Sequence, residues 1–351
     1  MSRDFNLTHQ KLLSVIVPIY NCEDYIEECV RSLFEQTMIN LEYIFIDDAS
    51  TDNSLKILKE LISEYPNRQS SIKIIQHTEN KGISYTRMEG IRQSEGEMVI
   101  HCDADDILEK DAYETMMRSV VETNADIVGC GYRIFGDVPS PIKLDLRAGY
   151  IDALELLGMI AGSRSEKMLG SLWNKMIKKD LWDDVVIPPG LSYCEDVLAL
   201  FQIFSKKPVV FYTGKILYNY RIRKNSLVNI KDNKMNEQCE ILIPILQNFR
   251  LENSEDFESA IHAKIIGLLY RLLKSGNVKT DYICQKYKTF DKFIIINKQL
   301  NLLEKLHLHF SLRGYDPCAH WLGKINDYGY KTIKSIKEIK AKIKYFFMVK
   351  S

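Results

Sequence analysis

From Leu12 onward the chain alternates between two hydrophobic periods. "LLSVIVPIY" is a continuous apolar run and predicts a buried strand ended by Pro18. From Glu23 to Gln36, the residues Tyr25, Ile26, Cys29, Val30, Leu33 and Phe34 recur at helical spacing. "LEYIFIDD" predicts a second strand, and "DNSLKILKELISEY" a second amphipathic helix with Asp52 or Asn53 as its cap. "SIKIIQ" predicts a third strand, Ile83 to Gln93 a third helix, and "EMVIHCD" a fourth strand. Apolar strands alternating with amphipathic helices predict an α/β protein whose parallel sheet is covered on both faces.

Ligands of such sheets bind outside the carboxyl ends of the strands. The polar groups of this chain fall at those ends. "PIYN" follows the first strand, "DDAST" the second, "HTENKG" the third and "DADD" the fourth. One crevice therefore collects all four.

Beyond residue 150 the pattern is less regular. "SLWNKMIKKDLW" and "PPGLSYCEDVLALFQIF" predict short helical pieces separated by a Pro-Pro-Gly turn, and "PVVFYTGKILYNYRIR" a pair of strands around Gly214. From about Asp232 the sequence is mostly helical and lysine-rich, with weak breaks at Gly276 and Gly314, which places a domain boundary near residue 230.

Composition narrows the classes. The 351 residues carry 47 basic and 47 acidic side chains, a balance that gives no reason to expect a nucleic-acid partner. "MSRDFNLTHQ" has no apolar core, so no secretory signal is expected there, and no apolar run reaches membrane-spanning length. None of the eight cysteines forms the close pairs of a zinc site, and reduced structural thiols in a cytoplasmic protein are the expectation.

The chemistry concentrates in "VIHCDADDILEK". One aspartate, Asp106, could cap the segment "ILEKDAYETMM" that follows, but capping does not explain three. Crowded carboxylates repel one another unless a cation intervenes, and a hard divalent ion takes oxygen ligands and bridges carboxylate to phosphate. Asp103, Asp105 and Asp106 therefore predict a magnesium or manganese site beside a diphosphate. Asp48 could accept a base N–H or a ribose hydroxyl, Tyr20 offers a ring face, and the Arg87 fork suits phosphate oxygens. Asp47 or Asp48 could equally just end a strand, and Arg87 be a solvated helix residue. Glu195 and Asp196 form a second acidic pair, either a proton acceptor near the metal or a solvated pair in a helix's first turn.

Taken in order, "SVIVPIYNCEDYIEECVRSLFEQT", "IDDASTDNS", "NKGISYTRMEG", "DADD", "LWNKMI", "CEDV" and "YRIRKNS" resemble the inverting glycosyltransferases of family 2, which have the GT-A fold. The resemblance runs from about Leu12 to Ser226. It implies transfer of a sugar from a nucleotide diphosphate, a UDP-sugar above all, to a hydroxyl of a glycan or lipid-linked glycan in cell-surface polysaccharide assembly. By resemblance, residues 1–230 are a GT-A catalytic domain with the nucleotide-sugar part in 12–106 and the acceptor part in 107–230, followed by a helical region over 231–351. Pro18, Tyr20, Asn21, Glu23 and Lys81 would line the nucleotide pocket, with Asp48 reading the base and Arg87 near the phosphates. Asp103, Ala104 and Asp105 match the D-x-D element; Asp103 and Asp105 would hold ribose and metal, Asp105 above all, and whether Asp105 or its neighbour Asp106 touches the ion stays open. Asp196 matches the catalytic base, with Glu195 its companion. Trp173 would wall the donor or acceptor site, and Arg221, Arg223 and Ser226 would close over the diphosphate. Two positions depart from the pattern: Ala49 stands where glycine is common, and Met88 where asparagine is.

In the tail, Ile333, Ile336, Ile339, Ile343 and Phe347 form one helical stripe with Lys331, Lys334, Lys337 and Lys342 roughly opposite. Over residues 330–351 this predicts either docking on an anionic membrane surface, on the inner face of the plasma membrane, or packing on the protein body. An aspartate-nucleophile phosphatase would carry its D-x-D after the first strand, and a dinucleotide dehydrogenase would need the missing G-x-G-x-x-G. A sugar-nucleotide-binding scaffold without catalysis is the remaining alternative.

Overall fold

The computed structural model describes residues 12–136, 142–144, 147–162, 169–223, 232–249, 254–275, 280–294 and 300–313. Strands β1 (Leu13–Ile19), β2 (Leu41–Asp47), β3 (Ile72–Gln76) and β4 (Met98–His101) pair in parallel in the order β3-β2-β1-β4. Between them lie α1 (Ile26–Phe34), α2 (Ser54–Glu64) and α3 (Ile83–Gln93). Side chains alternate across each strand, so the two faces serve different helices. On one face Tyr43 and Phe45 meet Phe34 of α1 edge-on, and the Tyr43 hydroxyl donates to the Leu33 carbonyl. On the other, Ile16 and Ile46 meet Gly90 of α3, where an added Cβ would lie 2.4 Å from Ile16 Cγ2.

β1 is not ended by Pro18; it continues to Ile19. The reason lies in the pairing direction. Cys102 N donates to the Ile16 carbonyl while Asp48 N donates to the Ile19 carbonyl, so even-numbered residues of β1 face β4. Pairing with β4 stops at Ile16, and the amide that Pro18 lacks would have had no partner there. β3 is a half-exposed edge strand, not a buried one.

The sheet continues through β9 (Lys175–Lys178), β6 (Ile127–Gly136), β10 (Val210–Ile222) and β5 (Ile107–Leu108), with β7 (Ile142–Leu144) beside β6 and β8 (Gly149–Ile151) beside β10. Three expectations are corrected here. The segment expected as a short helix at "NKMIKK" contains β9, antiparallel to both β4 and β6 and followed only by a short 3-10 turn. The expected strand pair around Gly214 is a single thirteen-residue strand, bulged where Gly214 adopts φ 66°. The residues after Asp106 form β5, and the helix α4 (Ala112–Thr123) begins only at Asp111.

α5 (Ala153–Gly162) packs on α6 (Glu195–Phe204). Then follow α7 (Asp232–Asn248), α8 (Glu255–Ser275), α9 (Thr280–Tyr287), α10 (Asp291–Ile294) and α11 (Leu302–Leu312), the last opened by a capping box between Asn301 and Glu304. The chain divides into two compact units, Met1–Ile261 and His262–Ser351. The boundary expected near residue 230, the breaks at Gly276 and Gly314, Ser226 and the tail over 330–351 all lie outside the described residues. Among the described residues no helix is long and apolar enough to cross a membrane.

Candidate functional site

The loops after β1 and β2 are stitched to each other. Asn21 Oδ1 accepts from Thr51 N at 2.9 Å, and Asn21 N donates to Ser50 Oγ at 3.1 Å. Glu23 Oε2 accepts from Asn53 N at 2.9 Å while Glu23 N donates to Asp52 Oδ2 at 2.9 Å. Cys22 N donates to Ser54 Oγ, which donates to Asp52 Oδ1. Burial would raise the Asp52 carboxyl, but the Ser54 hydroxyl, and then the backbone amides of Ser54 and Glu23, hold it below its ordinary range. Asn21 and Glu23 thus shape the loops, while the Tyr20 ring is half exposed.

Asp48 organises the loop after β3. Its Oδ1 meets His77 Nδ1 at 2.7 Å and accepts from Lys81 N at 2.8 Å, and its Oδ2 accepts from Gly82 N at 2.8 Å. His77 Nε2 lies 2.6 Å from Glu89 Oε2. The Lys81 side chain lies over the Tyr85 ring.

The three aspartates after β4 have three environments. Asp103 Oδ1 accepts from Arg87 Nη2 at 2.8 Å. Asp105 Oδ2 lies 2.9 Å from Arg223 Nε, and its backbone carbonyl accepts from Arg221 Nε at 2.8 Å. Burial, then Asp103, pushes the Asp105 carboxyl upward, against the pull of Arg223. Asp106 is fully buried, with Oδ2 accepting from the Tyr218 hydroxyl at 2.6 Å and Oδ1 from Arg221 N at 2.7 Å. Burial and its two acidic neighbours push it well above the carboxylate range.

Arg87 is buried, not solvated. Its second fork nitrogen, Nη1, reaches Glu195 Oε1 at 2.5 Å, so one guanidinium joins Asp103 to the first turn of α6. Burial would lower its pKa, but Asp103, Glu195 and Asp196 more than offset it. Glu195 is driven upward by burial and by Asp196. Cys194, at φ 58°, turns the chain so that Glu195 and Asp196 open the helix, where its dipole favours negative charge. Asp196 Oδ1 accepts from Val197 N at 2.7 Å. The preceding loop is held by Ser84 Oγ, which donates to the Leu191 carbonyl, and by Gln238, which accepts from Ser192 N and donates to the Gly190 carbonyl.

Trp173 is 4% exposed and stacks on Tyr218 at 4.3 Å and Tyr220 at 5.6 Å, which makes it the support of an aromatic wall. Arg221 pairs with Glu28 and lies over Tyr25 and Phe135, and Arg223 shares Tyr25. Tyr218, Glu28, Tyr25, Gln238 and Lys175 escape sequence reasoning. Only Lys175 carries a local signal, an isolated charge inside "LWNKMI".

A divalent ion fits this donor set in one way. Among the described residues no group of three or more His, Cys, Asp or Glu side chains forms a closed cage. Asp103 and Asp105 would supply the one or two carboxylates typical of an ion that completes its shell with water and substrate phosphate.

This mostly parallel α/β sheet, with two acidic clusters meeting across one arginine, defines a GT-A architecture. Residues 14–182 match the model of glycosyl transferase family 2. EpsH of Bacillus subtilis is 30% identical over 251 residues, 69% of this chain and 70% of that one. The glycosyltransferase GlyA of Streptococcus pneumoniae is 31% identical over 225 residues, 62% of this chain but 32% of GlyA, so the chain spans about a third of that relative. The crystal structure of Staphylococcus aureus TarS residues 1–349 in complex with UDP-GlcNAc superposes with a TM-score of 0.65 at 19% identity, over 93% of this chain and 94% of that one. The chain belongs to glycosyl transferase family 2.

Proposed function

We propose that the chain transfers a sugar from a nucleotide-diphosphate donor, a UDP-sugar, to a hydroxyl of a glycan or lipid-linked glycan, inverting the anomeric carbon. The setting is cell-surface polysaccharide assembly at the cytoplasmic face of the membrane. The observation that carries this reading is the Arg87 bridge, 2.8 Å from Asp103 and 2.5 Å from Glu195. It puts the carboxylates suited to a diphosphate-bound ion beside the helix start that bears Asp196. Family membership and the UDP-GlcNAc complex of TarS support the same donor class.

Asp105 would hold manganese or magnesium, with Asp103 beside it, and the ion would offset charge on the departing diphosphate. Asp106 holds the turn from inside and stays off the ion. Arg87 aligns the two acidic clusters and contributes its positive charge from behind Asp103. Arg221 and Arg223 supply cations toward the diphosphate from the end of β10. Asp196 takes the acceptor's proton as its oxygen attacks the anomeric carbon, and the diphosphate leaves with the electron pair of the broken C–O bond. Tyr20 presents its ring to the base.

Asp196→Asn keeps donor affinity and loses transfer by about 10²-fold or more, measured as product from a panel of UDP-sugars and glycan acceptors. Full transfer by this variant would remove Asp196 as the base.

A further inference from the structure

Lys175 lies in β9 between Asn174 and Met176 and is 1% exposed. Its ammonium donates to the Leu169 carbonyl at 2.6 Å, the Ser171 carbonyl at 2.8 Å and Asn174 Oδ1 at 2.9 Å. Three donors satisfy three acceptors only when the group is protonated, because a neutral amine has two hydrogens. The turn so held, residues 169–174, is also pinned to β6: Asn174 Nδ2 donates to the Cys130 carbonyl, and Cys130 N to the Asn174 carbonyl. Trp173, stacked on Tyr218, rides on this turn, and the Tyr218 hydroxyl in turn holds Asp106.

A buried ammonium is costly unless an anion answers it. The turn packs on the start of α6, where an added Cβ at Gly170 would lie 2.7 Å from Val197 Cγ2, and the residue before Val197, Asp196, is an anion that bears on Lys175. Burial pulls the Lys175 pKa down to about 7, while Asp196 and then Cys130 act to raise it. Glu195 beside it on α6 and Arg87 from α3 also act on Asp196. α5, packed on α6, brings only Glu155, which is exposed.

We propose that Lys175 is a positioning residue for the transfer: its ammonium ties down the 169–174 turn beneath the aromatic wall and sets a buried positive charge against Asp196. That charge favours the carboxylate form a base requires, and it is supplied from inside the protein, so it is present before any substrate arrives. The inference rests on reading Asp196 as the base.

Linkage fixes the sign of the test, since each charge favours the other's ionised form by the same amount. In the full-length protein labelled with ¹³Cε-lysine, one lysine resonance titrates near neutrality, and in Asp196→Asn its midpoint falls by about half a pH unit or more. A lysine with only a scaffolding task keeps its midpoint in that variant, and an unmoved midpoint overturns the proposal. The second arm reads slow UDP release from UDP-GlcNAc with Mn²⁺, where water stands in for the acceptor. Lys175→Gln, checked for folding by circular dichroism, moves the low-pH arm of that profile upward, because Asp196 then takes up its proton at a higher pH. An unchanged low-pH arm in folded Lys175→Gln overturns the proposal while Asp196 stands as base. Full UDP release by Asp196→Asn instead removes the base assignment itself, and the proposal with it. The titration in the first arm needs no folded Lys175 variant.

Discussion

Ala49 sits at φ 59°, where a side chain crowds the following carbonyl and glycine does not. This explains the one departure from the family pattern in that loop: glycine at this position answers a backbone need and touches no reacting group. The left-handed conformation costs a non-glycine residue about 1–2 kcal/mol, and glycine's extra chain entropy returns roughly half of that. Ala49→Gly therefore raises stability by about 0.5–1 kcal/mol, an increase of about 1 °C in Tm by calorimetry at this chain length. Its neighbours show how far single residues can be read. Three crowded aspartates are legible as a cation-seeking cluster from spacing alone. Which of them faces outward is not, because Asp106 is claimed by Tyr218 and Arg221, 112 and 115 positions later. Asp48 and Arg87 are equally legible as candidate site groups. Their partners, the 77–82 loop and Glu195, come from the fold.

Elements divide along the same line. β1, β2 and α1 to α3 follow from local periodicity because each buries a face its own sequence defines. β9 does not, since "KMIK" offers two apolar residues and becomes a strand only by lying between β4 and β6. β10 reads as two strands because Gly214 interrupts it, yet the bulge lets one strand pair with β8 in its first half and β5 in its second. Close packing of α3 gives a test at this scale. Gly90→Val drives a branched side chain into Ile16 Cγ2, itself on a stiff β-branched residue, and costs about 2–3 kcal/mol. Gly158→Ala, in α5 with open space around it, gains about 0.5–1 kcal/mol. Urea unfolding of the two variants separates packing from helix propensity.

For the whole molecule, the site belongs to the unit Met1–Ile261, and His262–Ser351 is a second compact unit of its own. Ligand linkage then reads the assembled site. At about 100 times its Kd, UDP with Mn²⁺ stabilises the folded protein by about 2.7 kcal/mol. The manganese increment disappears in Asp105→Asn and persists in Asp106→Asn once allowance is made for that variant's lower starting stability. Differential scanning fluorimetry with UDP alone, Mn²⁺ alone and both together distinguishes these outcomes.

The anchoring of Asp106 by β10 sets an order on synthesis. A nascent chain carries its three aspartates out of the ribosome long before Tyr218 and Arg221 exist to hold the third. At about 5–20 residues per second that interval is roughly 6 to 23 s. The amino-terminal strands can pair during this wait, but the carboxyl end of the sheet stays unfinished until residue 221 emerges. Completion of the candidate site is therefore a late event in the life of the chain, although its most readable residues are made first.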